Sequence, residues 1–111
     1  MSDFVKAWDE LATIVHKDNV TKGFWPDGLA RNRGEIIALI HSELSEALEA
    51  ERDGNPPDPK VPTYGAVEVE LGDAVIRIMD YAKAFNLDVG SAILAKLEYN
   101  RSRPHKHGRK F

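Results

Sequence analysis

Four carboxylates occur in two pairs, and the spacing within each pair suits two ligands on one face of a helix. Glu43 and Glu46 form the first pair, and Glu70 and Asp73 form the second. Residues three apart are neighbours on a helix surface, so each pair presents its carboxylates side by side. On facing helices the pairs would meet, and two unit charges about 4 Å apart repel by about 4 kcal/mol near a protein surface. Protonation or a divalent cation relieves such repulsion.

Carboxylate oxygens are ligands for hard cations, so the pattern favours Mg²⁺, with Mn²⁺ as a substitute, over zinc or copper. The sequence contains no cysteine, which excludes thiolate zinc sites, disulfides and a cysteine nucleophile. A di-iron bundle would need Glu-x-x-His pairs on two helices, and the sequence has none. Two simpler interpretations stay open. The acids form a solvated helix face, or they pair with bases, and Arg77 is a candidate partner for Asp73 or Asp80.

Apolar residues recur at spacings of three and four, which predicts an all-α bundle without strands. We expect helices over residues 3–17, 32–53, 64–85 and 88–103, with Gly54 ending the second helix and Asp88 capping the fourth. Four prolines between residues 56 and 62 predict an extended connector. The third helix is apolar on nearly all sides. We therefore expect it to be largely buried and the chain to oligomerise, unless these residues complete the core of a single chain.

The predicted fourth helix carries the opposite charge. Lys96, Asn100 and Arg103 follow one another at spacings of four and three, so they share one edge of that helix. A row of bases beside a carboxylate-bound metal ion is an arrangement that binds polyphosphate. The alternative is that these bases pair with the acids.

The 111 residues predict a single domain, 1–111, that ends in a basic tail over residues 101–111. The tail has five basic residues and no acid, while the whole chain has a net charge of −3, so the body is acidic. An acidic body disfavours a nucleic-acid polymer as partner. No apolar run approaches the about 20 residues that cross a bilayer. Without a signal-peptide pattern at the N-terminus, a cytoplasmic location is the expectation.

The chain resembles the MazG-like nucleoside triphosphate pyrophosphohydrolases. Its two acid pairs match the E-x-x-E and E-x-x-D signature of that family. The resemblance extends to segments on both sides of the acids: Lys22, Gly23, Phe24 and Trp25 before the second helix, then Lys96, Tyr99, Asn100, Arg103, Pro104, His107 and Gly108.

The resemblance implies a four-helix MazG-like bundle completed by dimerisation, as a homodimer or a dimer of dimers. It implies Mg²⁺-dependent cleavage of ribo- or deoxynucleoside triphosphates between the α- and β-phosphates, with nucleotide-pool house-cleaning as the role. The matching acids, Glu43, Glu46, Glu70 and Asp73, would be the metal ligands. Glu43 or Glu46 would also act as the catalytic base. Lys96, Asn100 and Arg103 would bind the phosphates.

Two further side chains are candidates for substrate binding. Trp25 offers a ring for stacking on a base, although it suits a hydrophobic plug between helices equally well. His41 adjoins the first acid pair, where it either lines the pocket or stays on the surface.

Two alternative functions remain open at this point. One is an enzyme of the phosphoribosyl-ATP pyrophosphatase type, which shares the carboxylate chemistry. The other is a non-enzymatic helical interaction module, which would explain the apolar helices but not the matched acid pairs.

Overall fold

Four helices make up most of the chain in a computed structural model that describes residues 2–103, apart from the Ser2 side chain. They are α1 (Ser2–Thr21), α2 (Arg33–Arg52), α3 (Ala66–Ala84) and α4 (Val89–Arg101). Within the described residues there is no strand, only an isolated bridge between Pro57 and Gly65. The all-α prediction is confirmed. Most of the predicted basic tail, residues 104–111 with Pro104, His107 and Gly108, lies outside the described residues.

The helix ends follow local capping chemistry. Asn32 precedes α2, and its side chain accepts a hydrogen bond from the backbone N–H of Glu35 at 3.0 Å. Gly54 has a φ of 83°, a left-handed conformation that ends α2 at low steric cost. Asp88 accepts from the N–H of Ser91 at 3.2 Å and caps α4. The predicted roles of Gly54 and Asp88 are confirmed.

Small side chains set how closely the helices pack. The α3 helix packs against α1 and α2, and the buried residues include alanines from all three helices: Ala12, Ala47, Ala50, Ala74, Ala82 and Ala84. The α4 helix packs against α1, where a Cβ added to the buried Gly90 would lie 3.2 Å from the Trp8 ring. Close backbone approach therefore positions all four helices.

A single chain covers α3 only in part. Leu71, Val75 and Ile76 remain 40–47% exposed, so the expectation of a largely buried third helix is wrong for the single chain. The reason is that α1 and α2 cover two sides of α3 while α4 packs on α1 instead. None of the described helices has the length and apolarity needed to cross a bilayer.

Hydrogen bonds hold the proline-rich α2–α3 loop, residues 53–65, in one shape. The N–H of Ala66 donates to the carbonyl of Pro56 at 2.7 Å, and Asp58 N–H donates to the carbonyl of Tyr64 at 2.9 Å. The Asn55 side chain accepts from the N–H of Val67 at 2.8 Å and so caps the start of α3. These bonds explain why α3 begins at Ala66, two residues later than predicted.

We predict that Gly65→Ala destabilises the protein by about 1 kcal/mol, the usual cost of losing a helix cap. A Cβ at Gly65 would lie 2.5 Å from the Asn55 amide oxygen, so the amide would have to leave Val67. Urea unfolding measures the change.

The control is Gly72→Ala within α3, where an added Cβ meets no atom within 4 Å. Alanine there should stabilise the helix by up to about 1 kcal/mol. Equal effects of the two substitutions would contradict a close Asn55–Gly65 contact.

Candidate metal centre

Packing of α3 on α2 brings three carboxylates together. Glu43 and Glu46 on α2 and Glu70 on α3 each contribute an oxygen, and these oxygens lie within 4.8 Å of one another. Ala47 and Ala50 on α2 and Ala74 on α3 are buried near these acids, and their small side chains permit the close approach. The prediction that acids from the two pairs converge is confirmed for these three residues.

Asp73, the fourth predicted ligand, stands beside this carboxylate cluster rather than within it. It lines the same cavity of about 620 Å³, which we call the acid cavity. The carboxylate residues along its wall are Glu43, Glu46, Glu49, Asp53, Asp58, Glu70 and Asp73. Lys60 is the sole basic residue among the described residues that line it. Glu49 is exposed and also lines this cavity.

Glu70 bears most of the electrostatic conflict. Its Oε2 atom is buried and has no hydrogen-bond partner among the described residues. The pKa of Glu70 is raised to about 7, mainly by a hydrogen bond with Glu46 that forms only when one of the two carboxyls is protonated. Burial and the negative charges of Glu46, Glu43 and Asp73 raise this pKa further. A buried oxygen without a donor, among other carboxylate oxygens, fits the ligand set of a hard cation.

Asp73 is under the same influence to a lesser degree. Burial and the negative charge of Glu43 raise the pKa of Asp73, while the positive charges of Arg77 and Lys60 oppose the rise. The site therefore contains more negative charge than its own bases balance.

Arg77 pairs with Glu43 instead of the predicted Asp73 or Asp80. Its Nε donates to Glu43 Oε2 at 3.0 Å, and the Glu43 side chain is 12% exposed. Asp80 instead contacts Trp25 and His16. The alternative in which bases neutralise the acids thus holds for Glu43, but not for Glu70.

A second cavity of about 830 Å³ adjoins the acid cavity, and Glu43, Lys60 and Asp73 line both. We call it the basic cavity, because four basic residues line its wall: Lys22, Arg31, Lys60 and Arg77. Its apolar lining comes from Ile36, Leu39, Ile76 and the half-exposed Phe24. A volume in this range suits a small organic ligand.

Trp25 is buried, with 6% of its surface exposed. Its Nε1 donates to both Asp80 oxygens at 3.1 Å, and His16 Nδ1 lies 2.7 Å from Asp80 Oδ1. The Trp25 ring contacts Phe85 edge-on, and the Arg31 guanidinium carbon lies 4.6 Å from the ring centroid. Trp25 therefore occupies the position expected of a hydrophobic plug between helices. A nucleotide base could stack on its ring only by displacing the neighbouring side chains.

The remaining predicted substrate residues lie away from the acids in one chain. His41 is exposed and lines neither the acid nor the basic cavity. Lys96 and Asn100 line a separate shallow groove on α4. The Lys96 ammonium and the Arg103 guanidinium carbon lie 4.7 Å and 5.1 Å from the Tyr99 ring centroid. A single subunit therefore does not bring the basic row of α4 to the acids.

Sequence reasoning missed two features of this region. The Asp80–Trp25–His16 network joins residues 55 and 64 positions apart, which no local spacing reveals. Asp80 did stand out as a charge on an apolar helix, and that was the available signal. Asp58 and Lys60 were treated as parts of an extended connector.

Comparisons with protein-family models, with curated proteins and with solved structures found no significant match.

We predict that the metal-free protein loses stability as pH rises from about 4.5 to about 7. In this window the folded state keeps a proton on Glu70, whose ordinary pKa is 4.5 and whose folded pKa is about 7, whereas the unfolded state has released it. Glu70→Gln should flatten this dependence. Denaturant unfolding in EDTA across the pH range measures it.

The matched control is Glu51→Gln, which removes an exposed carboxylate that does not line the acid cavity. It should keep the slope of the parent protein. If the unfolding free energy of Glu70→Gln fell with pH as steeply as that of the parent protein, Glu70 would not be the group that retains the proton.

Proposed function

We propose that this protein is a Mg²⁺-dependent nucleoside triphosphate pyrophosphohydrolase with a role in nucleotide-pool house-cleaning. It cleaves ribo- or deoxynucleoside triphosphates between the α- and β-phosphates, and it releases the monophosphate and pyrophosphate. The resemblance of the acid pairs to the MazG-like signature supports this reaction.

One observation carries the proposal. Oxygens of Glu43, Glu46 and Glu70 lie within 4.8 Å of one another, and a buried oxygen of Glu70 has no donor among the described residues. The basic cavity begins beside them, so carboxylates for a dication and bases for a phosphate chain are neighbours. A solvated acidic face would not need a buried, unpartnered oxygen.

The residues fit a hard dication. Glu43, Glu46 and Glu70 would hold Mg²⁺, and Asp73 would join them from the same wall of the acid cavity. When bound there, Mg²⁺ supplies Lewis-acid polarisation of phosphate oxygens and lowers the pKa of water. Mn²⁺ has similar ligand preferences and would substitute.

The side chains divide the remaining work between them. Arg77 fixes Glu43 in a ligand position through its ion pair. Glu46 is exposed and makes no ion pair among the described residues, so it is our candidate for the base that accepts a proton from the attacking water. The water attacks a phosphorus of the α–β linkage, and the bridging P–O bond breaks. The nucleoside lies in the basic cavity, where Phe24 offers an exposed ring.

We further propose that the enzyme works as a homodimer or a dimer of dimers. Exposed apolar side chains occur on α3 and also on α4, including Ile93 and Leu97. The phosphate role of Lys96 and Asn100 then depends on α4 of a second subunit, because in one chain they line a groove apart from the acids.

Glu70→Ala should abolish triphosphate hydrolysis, a loss of at least about a hundredfold, because it removes a central metal ligand. Product analysis with a panel of ribo- and deoxynucleoside triphosphates, and with phosphoribosyl-ATP, measures activity and separates pyrophosphate from orthophosphate release. The parent protein should also melt at a higher temperature with Mg²⁺, as ligands of the native state cause, and the variant should not.

The matched control is Glu68→Ala, which removes an exposed acid of α3 that does not line the acid cavity. It should retain activity and the response to Mg²⁺. A parent protein that neither hydrolyses any of these substrates nor responds to Mg²⁺ would favour the interaction-module alternative.

Sedimentation equilibrium should give a mass of at least twice 12.4 kDa. Leu97→Asp should lower that mass, since it places a charge on an exposed apolar position of α4. Exposed Ala95 on the same helix provides the control Ala95→Asp. A parent protein that sediments as a monomer at all concentrations would disprove the dimer.

A further inference from the structure

Lys60 lies where the two cavities meet. The residues that line both are Glu43, Lys60 and Asp73, and Lys60 is the one base among them. A phosphate chain that runs from a cation on the carboxylates towards the basic cavity has to pass this junction. In the proposed function, Lys60 thus lies between the metal-bound end of the phosphate chain and the part of the nucleotide that enters the basic cavity.

A buried carboxylate fixes the backbone of Lys60. Asp58 is 5% exposed, and its Oδ2 accepts the N–H groups of Lys60 and Val61, each at 2.8 Å. Burial of a charge is costly unless hydrogen bonds satisfy it, so these two bonds must form for Asp58 to stay in place. Prolines on both sides, Pro59 and Pro62, restrict the loop further. The α2–α3 loop therefore presents Lys60 from a rigid base.

The Lys60 side chain is exposed, and its ammonium group makes no ion pair with any described residue. Arg77, the other base close to the cluster, is already paired with Glu43 at 3.0 Å. An ammonium on a flexible stem suits a phosphate as a point charge with three donors. Lys60 is thus the base at the junction that is free to bind an incoming anion.

We propose that Lys60 is a substrate-binding residue, which contacts the phosphate chain of the nucleotide at the junction of the acid and basic cavities. This inference rests on the proposed function and adds a ligand contact from the α2–α3 loop. It names the α2–α3 loop, together with the helices, as part of the nucleotide site.

A purely electrostatic role has a different signature. If Lys60 only screened the carboxylates, its removal would tighten Mg²⁺ binding, because the repulsion of a dication is lost, and would weaken phosphate binding by only a small factor that disappears at high salt. If Lys60 binds phosphate directly, its removal weakens the binding of the phosphate anion strongly and leaves Mg²⁺ binding unchanged or tighter.

The experiment compares Lys60→Ala and Lys60→Arg with the parent protein. Lys6→Ala is the matched control, since Lys6 is exposed on α1 and lines none of the cavities described above. Two measurements are made: kcat and KM for a nucleoside triphosphate with excess Mg²⁺, and calorimetric binding of pyrophosphate in Mg²⁺. Mg²⁺ binding alone is titrated for each variant.

We expect Lys60→Ala to raise KM and the pyrophosphate Kd by about ten- to a hundredfold, the usual size of a lost bond to a charged group. Lys60→Arg should restore part of this loss, and Lys6→Ala should match the parent. Unchanged KM and pyrophosphate Kd in Lys60→Ala would overturn the inference and leave the proposed function standing. A parent protein without hydrolytic activity whose pyrophosphate binding still depends on Lys60 would overturn the function and support the phosphate contact.

Discussion

Repulsion between carboxylates that the fold forces together is the constraint on which this structure depends. The oxygens of Glu43, Glu46 and Glu70 lie within 4.8 Å of one another because α3 packs closely on α2. Each pair at such a distance costs on the order of 4 kcal/mol at the effective dielectric of a protein surface. Arg77 compensates one member, and a retained proton on Glu70 reduces the rest. The same three carboxylates are a group that could hold a metal ion in place of the proton.

The surroundings of the cluster form a gradient of charge. Seven carboxylates and one lysine line the acid cavity, whereas four basic residues and three carboxylates line the adjoining basic cavity. For the proposed nucleotide substrate, this gradient suits a dication on the phosphate chain at the acid cavity and the remaining anionic phosphate oxygens towards the basic cavity.

Local patterns predicted a large part of this molecule. The spacing of Glu43 and Glu46, and the position of Glu70 on a second helix, were enough to predict their convergence, because helical periodicity fixes faces. Caps at Gly54 and Asp88 were equally local. The coverage of α3 was not predictable, since exposed Leu71 depends on where α4 packs and not on the composition of α3.

Long-range hydrogen bonds account for the features of the site that were missed. Lys60 acquires its position through Asp58, whose burial depends on the whole α2–α3 loop. Asp80 accepts from Trp25, 55 positions earlier in the chain, while Arg77 donates to Glu43. Proline spacing indicates an extended segment, but it does not indicate which side chain the segment presents.

The two tryptophans of the chain report on different parts of the fold. Trp8 lies beside Gly90 where α4 packs on α1, whereas Trp25, in the loop that leads into α2, donates to the buried Asp80 of α3. Their indole fluorescence responds to separate local openings, one of the terminal helix and one of the core beside the basic cavity. Single-tryptophan variants thus give optical access to each region without an added label.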